Sequence, residues 1–168
     1  MIRIPTGADP PALGDRQGGE DPLGRQVRAL FTDLAHAGDL SVQRGSTAAA
    51  GEQCLTGTAG RIDEGTQVRF SLRLRGGRVL EVRYRAYGCP YTLACCEWLA
   101  RRLAEIELSE PWAAALRAAV GTPIDWAREL AIPQARLGRL LIVEDALESA
   151  ILRRSMQVFE QAHPPQGF

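Results

Sequence analysis

Four cysteines and two histidines are the side chains of this 168-residue chain best suited to metal or sulfur chemistry: Cys54, Cys89, Cys95, Cys96, His36 and His163. No two cysteines have the Cys-x-x-Cys spacing of a zinc or redox motif, and four are too few for a disulfide framework in a chain of this size. The first 23 residues lack an apolar core and are broken by Pro5, Pro10, Pro11, Gly18 and Gly19, so no export signal is read there. Reduced thiols in a cytoplasmic protein are the expectation. All 20 basic residues are arginine, which removes any Schiff-base or phosphate-loop lysine. No Ser/His/Asp arrangement, Gly-rich phosphate loop or paired catalytic carboxylates stand out, so the chain reads as a non-enzyme. The net charge is zero, and no run approaches the ~20 apolar residues of a membrane span. Neither nucleic acid nor a membrane is expected as a partner.

The elements that must position these thiols follow from periodicity. Leu23, Val27, Leu30, Phe31 and Leu34 fall at helical spacing, predicting a short amphipathic helix over 23–35. His36 to Gly51 reads as a loop, with His36 at the surface. Val68, Phe70, Leu72 and Leu74 alternate with Arg69, Ser71, Arg73 and Arg75, predicting a strand that turns at Gly76-Gly77. A second strand runs to Tyr87, with Leu80, Val82, Tyr84 and Ala86 inward against Glu81, Arg83 and Arg85. Gln53 to Ala59 is read as a third, edge strand. The arginines of the polar face are balanced by acids elsewhere and read as a solvated sheet surface. After Gly88 the period becomes helical. Pro90 suits a first helical position, and Leu93, Cys96, Ala100 and Leu103 share a face. Helices are expected to open at Ser109-Glu110-Pro111 and Thr122-Pro123. A last one is predicted from about Ile142 to Gln161, carrying Val143, Ala146, Leu147, Ala150, Ile151 and Val158 on its core stripe. Strands first and helices after predict an α+β fold, a small three-stranded antiparallel sheet with helices on one face. One domain is expected over 23–162, with a flexible arm over 1–22 and a short tail over 163–168.

The hairpin places Cys89. Antiparallel pairing about Gly76 puts it opposite residues 63–65, at a sheet end and at a helix N-terminus together. Unpaired amides and the helix dipole there favour a thiolate. A reactive or ligating cysteine fits that position, and so does a small thiol capping a turn. Cys54 falls about 20 Å away, six residues along the sheet at ~3.3 Å each, beyond shared metal ligation. Cys95 and Cys96 are on the order of 10 Å along the helix, and Cys96 lies on the apolar stripe. The environment of Cys95 is left open by its spacing.

The stretch Arg83-Tyr84-Arg85-Ala86-Tyr87-Gly88-Cys89, followed by a helix, resembles the second cysteine motif of NifU/IscU-type iron–sulfur scaffold proteins. The segment Ile142-Val143-Glu144-Asp145-Ala146-Leu147-Glu148-Ser149-Ala150-Ile151 is similar to the last helix of that family, which opens with Glu-Asp-Ala. Val27 to Leu40 resembles its first helix and turn more loosely. The resemblance implies a domain that holds an iron–sulfur cluster, or iron or zinc, on three cysteines with an aspartate and often a histidine nearby. It also implies a cysteine desulfurase as partner. Only the second cysteine survives, as Cys89. Glu64 and Thr66 stand at the family's first cysteine and aspartate, and Gly138 and Arg139 stand at the histidine and third cysteine. Ile132-Pro133-Gln134-Ala135-Arg136 is a degenerate match to the chaperone-docking segment.

One thiolate with Glu64 is short of the about four soft ligands an iron–sulfur site wants. Arg139 cannot be deprotonated to ligate and is expected to pair with Glu64 or with the Cys89 thiolate. Three functions follow. The chain is a cluster-assembly scaffold with a degenerate site, a metal-free docking module of the same fold, or a thiol that accepts persulfide sulfur through Cys89.

Overall fold

The structure, a computed structural model, describes residues 23–40, 51–104 and 106–162, with side chains described as far as 153. The arm expected over 1–22, the tail 163–168 with His163, most of the expected loop and the Val158 side chain lie outside the described residues. In chain order the elements are α1 (Arg25–Thr32), β1 (Glu52–Arg61), β2 (Thr66–Arg75), β3 (Arg78–Tyr87), α2 (Pro90–Leu103), α3 (Trp112–Val120), α4 (Pro123–Glu129), a 3-10 turn (Gln134–Arg136) and α5 (Leu137–Ala162). The three strands form one antiparallel sheet in the order β1-β2-β3. This is the α+β architecture the alternation and the later change of period predict.

One face of the sheet is apolar. Val68, Phe70, Leu72 and Leu74 of β2 are fully buried between Leu55 of β1 and Val79, Val82 and Tyr84 of β3. Each such side chain contributes about 1.5–3 kcal/mol on leaving water. Helix α5 lies across β1 and β2, α2 lies against β3, and α1 rests on α2. Enclosed by these neighbours, α2 is buried almost all round, and Cys95 and Cys96 are both fully buried core thiols. Burial pushes both thiols well above their ordinary range. Thr122 opens α4 with a capping box shared with Asp125, and Pro123 occupies the first turn.

Two details differ from the periodic reading. The register of β2 on β3 slips between Arg73 and Leu74, so that Leu74 faces Val79 while Arg73 faces Glu81. Leu80 is the extra residue of this bulge and stands 39% exposed, whereas Val79 is buried. Strict alternation had placed Leu80 inside; one unpaired residue reverses the faces near the turn. Helix α5 also begins five residues before Ile142. Gly138 and Arg139 interrupt the apolar stripe in sequence, but Leu140 is fully buried and completes a first turn entered from the 3-10 segment.

At Gly57, helix α5 meets β1 backbone to backbone. A Cβ on Gly57 would stand 2.2 Å from both the Ala146 carbonyl oxygen and the Ala150 amide nitrogen. Ala146 and Ala150, fully buried, complete this line of small residues.

The outer edge of β3 is covered in two places. Residues 36–38 lie beside Tyr84, with Tyr84 donating to the His36 carbonyl at 3.1 Å and Gly38 donating to the Tyr84 carbonyl at 2.8 Å. Nearer the hairpin, Val79 donates to the Ile106 carbonyl and Leu108 to the Gly77 carbonyl, at 2.8 and 2.9 Å.

Candidate functional site

Tyr87 pairs with Gln67, so continuing the ladder sets Cys89 level with Gly65, where the spacing places it. Cys89 is the N-cap of α2, in extended backbone geometry, with Pro90 in the first turn. Its carbonyl accepts from the amides of Thr92 and Leu93 at 2.9 and 3.2 Å. Gly88 lets the chain pass close to the helix, since a Cβ there would lie 3.0 Å from Thr92. The Cys89 sulfur is half-buried and 3.5 Å from Thr92 Oγ1. Burial raises its pKa, but the Thr92 hydroxyl, the amides of Thr92 and Tyr91 and the Arg136 cation together hold the thiol below its usual range.

The other positions singled out do not converge on this sulfur. Glu64 is 67% exposed and its carboxylate faces Arg61 at 3.7 Å. Arg61 is held more closely by Asp63, at 2.8 Å. Arg139 turns to the β1–β2 turn, donating to Thr66 Oγ1 and, at 3.3 Å, to the Glu64 carbonyl. Thr66, fully buried, donates its hydroxyl hydrogen bond to the Gly65 carbonyl at 2.7 Å. The expected pairing of Arg139 with the Glu64 carboxylate is thus replaced by a clamp on that residue's backbone, because the side chain has a nearer cation in Arg61. Arg139 fastens the turn to the start of α5. Gly138 faces open space. Cys54 is exposed on β1, opposite Arg73. In the segment 132–136, expected from the resemblance to be a degenerate chaperone-docking match, Ile132 is core, while residues 133–136 are exposed.

Among the described residues no three of His, Cys, Asp and Glu gather where they could hold a metal ion. The groups recorded around Cys89 are its own thiol, the Thr92 hydroxyl and the Arg136 guanidinium, a set that does not fit a cluster or a zinc ion.

A second polar cluster escaped the sequence reading. Glu97 is fully buried in α2 and accepts from the His36 amide at 3.0 Å, His36 Nδ1 at 2.9 Å, Tyr84 Oη at 3.2 Å and Arg101 Nε at 2.8 Å. Burial alone would raise its pKa, but the bonds from His36 and Arg101 outweigh that and hold it below the ordinary carboxylate range. His36 is therefore not the surface residue its loop position suggests; a carboxylate 61 positions away draws it in. An acid set in the apolar run of α2 was the available signal, and Arg101 one turn on was its visible partner.

Three antiparallel strands, helices on one face and a thiol between the exit of β3 and the start of α2 define a class of small α+β domain. The chain belongs to the NifU-like N terminal domain family, whose model matches residues 27–160. Among solved structures it is similar to a nitrogen-fixing NifU-like protein (N-terminal) from Brucella abortus, at 17% identity and a TM-score of 0.50, over 77% of this chain and 91% of that one. It is also similar to a candidate iron–sulfur cluster assembly scaffold protein for the SUF system from the thermophile Fervidobacterium islandicum AW-1. There the identity is 13% and the TM-score 0.54, over 76% of this chain and 95% of that one. A comparison with curated proteins gives no match. No helix among the described residues is long and apolar enough to cross a membrane.

Proposed function

We propose that the chain serves iron–sulfur cluster assembly in the cytoplasm as a scaffold-like, non-enzymatic protein whose degenerate site, centred on Cys89, accepts sulfur as a persulfide. The observation that carries this is the state of Cys89, a half-exposed thiol at a helix N-terminus with donors that favour its anion and, among the described residues, no metal-holding group of ligands around it. A cysteine desulfurase fits as the sulfur-giving partner. The Cys89 thiolate attacks the terminal sulfur of the partner's persulfide; a sulfur–sulfur bond forms at Cys89, the donor's own breaks, and the donor leaves as a thiolate. No oxidant or reductant is consumed.

Reduced protein incubated with glutathione persulfide is expected to gain the mass of one sulfur atom. Cys89→Ser is expected to abolish the gain and Cys54→Ser to leave it intact. Equal uptake by Cys89→Ser would sink the proposal. The family fold also favours a second reading, a nascent cluster on Cys89 completed by ligands from another subunit. Anaerobic loading with iron and sulfide decides it, through a visible chromophore that Cys89→Ser removes.

The lost ligand positions can be tested by restoring them. Arg139 already reaches the backbone of residues 64–66, so these segments adjoin at the Cys89 end of the sheet. The double variant Glu64→Cys/Arg139→Cys is expected to bind about one zinc per chain, where the wild type binds none, as read by elemental analysis. Absence of zinc in a folded double variant would show that these positions do not face Cys89.

A further inference from the structure

The polar face of the sheet carries six arginines from β2 and β3, counting Arg78 at the hairpin opposite Arg75, and their pairing is uneven. Glu81 lies 2.9 Å from Arg73 and 3.0 Å from Arg83, and Glu52 lies 2.5 Å from Arg75. Towards the Cys89 end the acids run out. Arg69 and Arg85 are directly opposed across β2 and β3. Arg85 meets Asp39 in a pair that is more than half exposed on both sides, and Arg69 has no acidic partner among the described residues. Like charges directly opposite on a sheet destabilise it. These two line a groove of about 470 Å3 together with Thr58, Gln67, Ile62 and Tyr87. Ile62 and Tyr87 are 57% and 56% exposed, an apolar side chain and an aromatic ring on the groove wall.

We propose that this groove docks an extended acidic segment of a partner protein, with carboxylates over Arg69 and Arg85 and an apolar side chain against Ile62 and Tyr87. Charge complementarity selects the occupant: a pair of cations with too few acids is relieved by carboxylates, and guanidinium groups bind them in a planar, two-pronged geometry. The apolar wall favours a peptide over a nucleic acid. A nucleic-acid surface would need a basic stripe and a basic balance, and this chain has a net charge of zero with Arg73, Arg75 and Arg83 of the same face already paired to acids. The inference does not rest on sulfur chemistry at Cys89.

The test uses the full chain and a short labelled peptide of alternating glutamate and leucine, followed by fluorescence anisotropy. Binding is expected to weaken as salt rises. Arg69→Glu is expected to weaken it at least tenfold and Tyr87→Ala several-fold. Arg78→Glu, exposed at the far end of β3, and Cys89→Ser are expected to bind as the wild type does. Arg69→Glu should also raise Tm by about 1–3 °C, because it turns a repulsive cross-strand pair into an attractive one. That rise separates lost binding from lost folding. The proposal is overturned if the wild type does not bind the peptide, if Arg69→Glu binds equally well, or if a lysine–leucine peptide binds as tightly. It is equally overturned if duplex DNA binds in preference and loses affinity in Arg69→Glu. A dimer of the chain that Arg69→Glu dissociates would name a second copy as the occupant and overturn it too.

Discussion

Gly57→Ala is expected to cost about 3 kcal/mol of stability, at the upper end for overpacking a core, and Gly57→Val to leave no folded protein. The atoms that a Cβ would strike, the Ala146 carbonyl oxygen and the Ala150 amide nitrogen, belong to the backbone of α5 and cannot swing away as a side chain would. The helix must lift from β1, and in lifting it opens the cover over Leu55 and over the buried face of β2. For a domain of this size the alanine variant should melt roughly 6–12 °C lower. A melting temperature within a degree of wild type would mean that α5 is not seated on β1 at this point. Ala150→Leu, on the helix side of the same contact, should be comparably damaging, since its longer side chain would enter the same close-packed line.

Glu97→Ala is the second large effect, expected at about 3 kcal/mol. The loss would strand the buried Tyr84 hydroxyl and the His36 amide, and leave Arg101 and His36 without the carboxylate that gathers them. Glu97→Gln should recover part of it, because an amide oxygen still accepts but carries no charge. The same carboxylate sets an acid limit. Its folded pKa lies below the ordinary glutamate value, so its contribution is complete above the unfolded pKa of about 4.3 and is lost as pH falls through the lower folded value. Chemical denaturation should show stability falling between roughly pH 5 and pH 3 in the wild type, with a shallower fall in Glu97→Gln. An identical pH profile in both would remove Glu97 from the account.

The two clusters differ in how far the sequence discloses them. Cys89 was legible because its position depends on short-range features, a glycine-rich hairpin turn, clean alternation on β2 and a Tyr-Gly-Cys exit into a proline-started helix. Even the bulge at Leu80 left the far end of the ladder in place, since the expected level of Cys89 spanned three residues. The Glu97 cluster was not legible. It joins a loop residue, a strand residue and a helix residue separated by up to 61 positions, and nothing in local periodicity says which polar groups will share a carboxylate. Arg139 stands between the two cases. Its place beside residues 64–66 was anticipated, but its choice of a carbonyl and a hydroxyl over the Glu64 carboxylate goes with Arg61 lying 3.7 Å from that carboxylate. The contact at Gly57 was equally hidden, because a glycine in a strand reads as weakness until the helix that needs the space is in view.

The cover along the outer edge of β3 has a consequence for association. Residues 36–38 and 106–108 take up ladder positions there, whereas the outer edge of β1 has no strand partner among the described residues. A sheet with one blocked and one open margin can grow in only one direction. Addition at β1 uses that margin up, so two copies meeting there would close into a two-fold pair with three strands from each, and chain growth into fibres has no second end from which to continue.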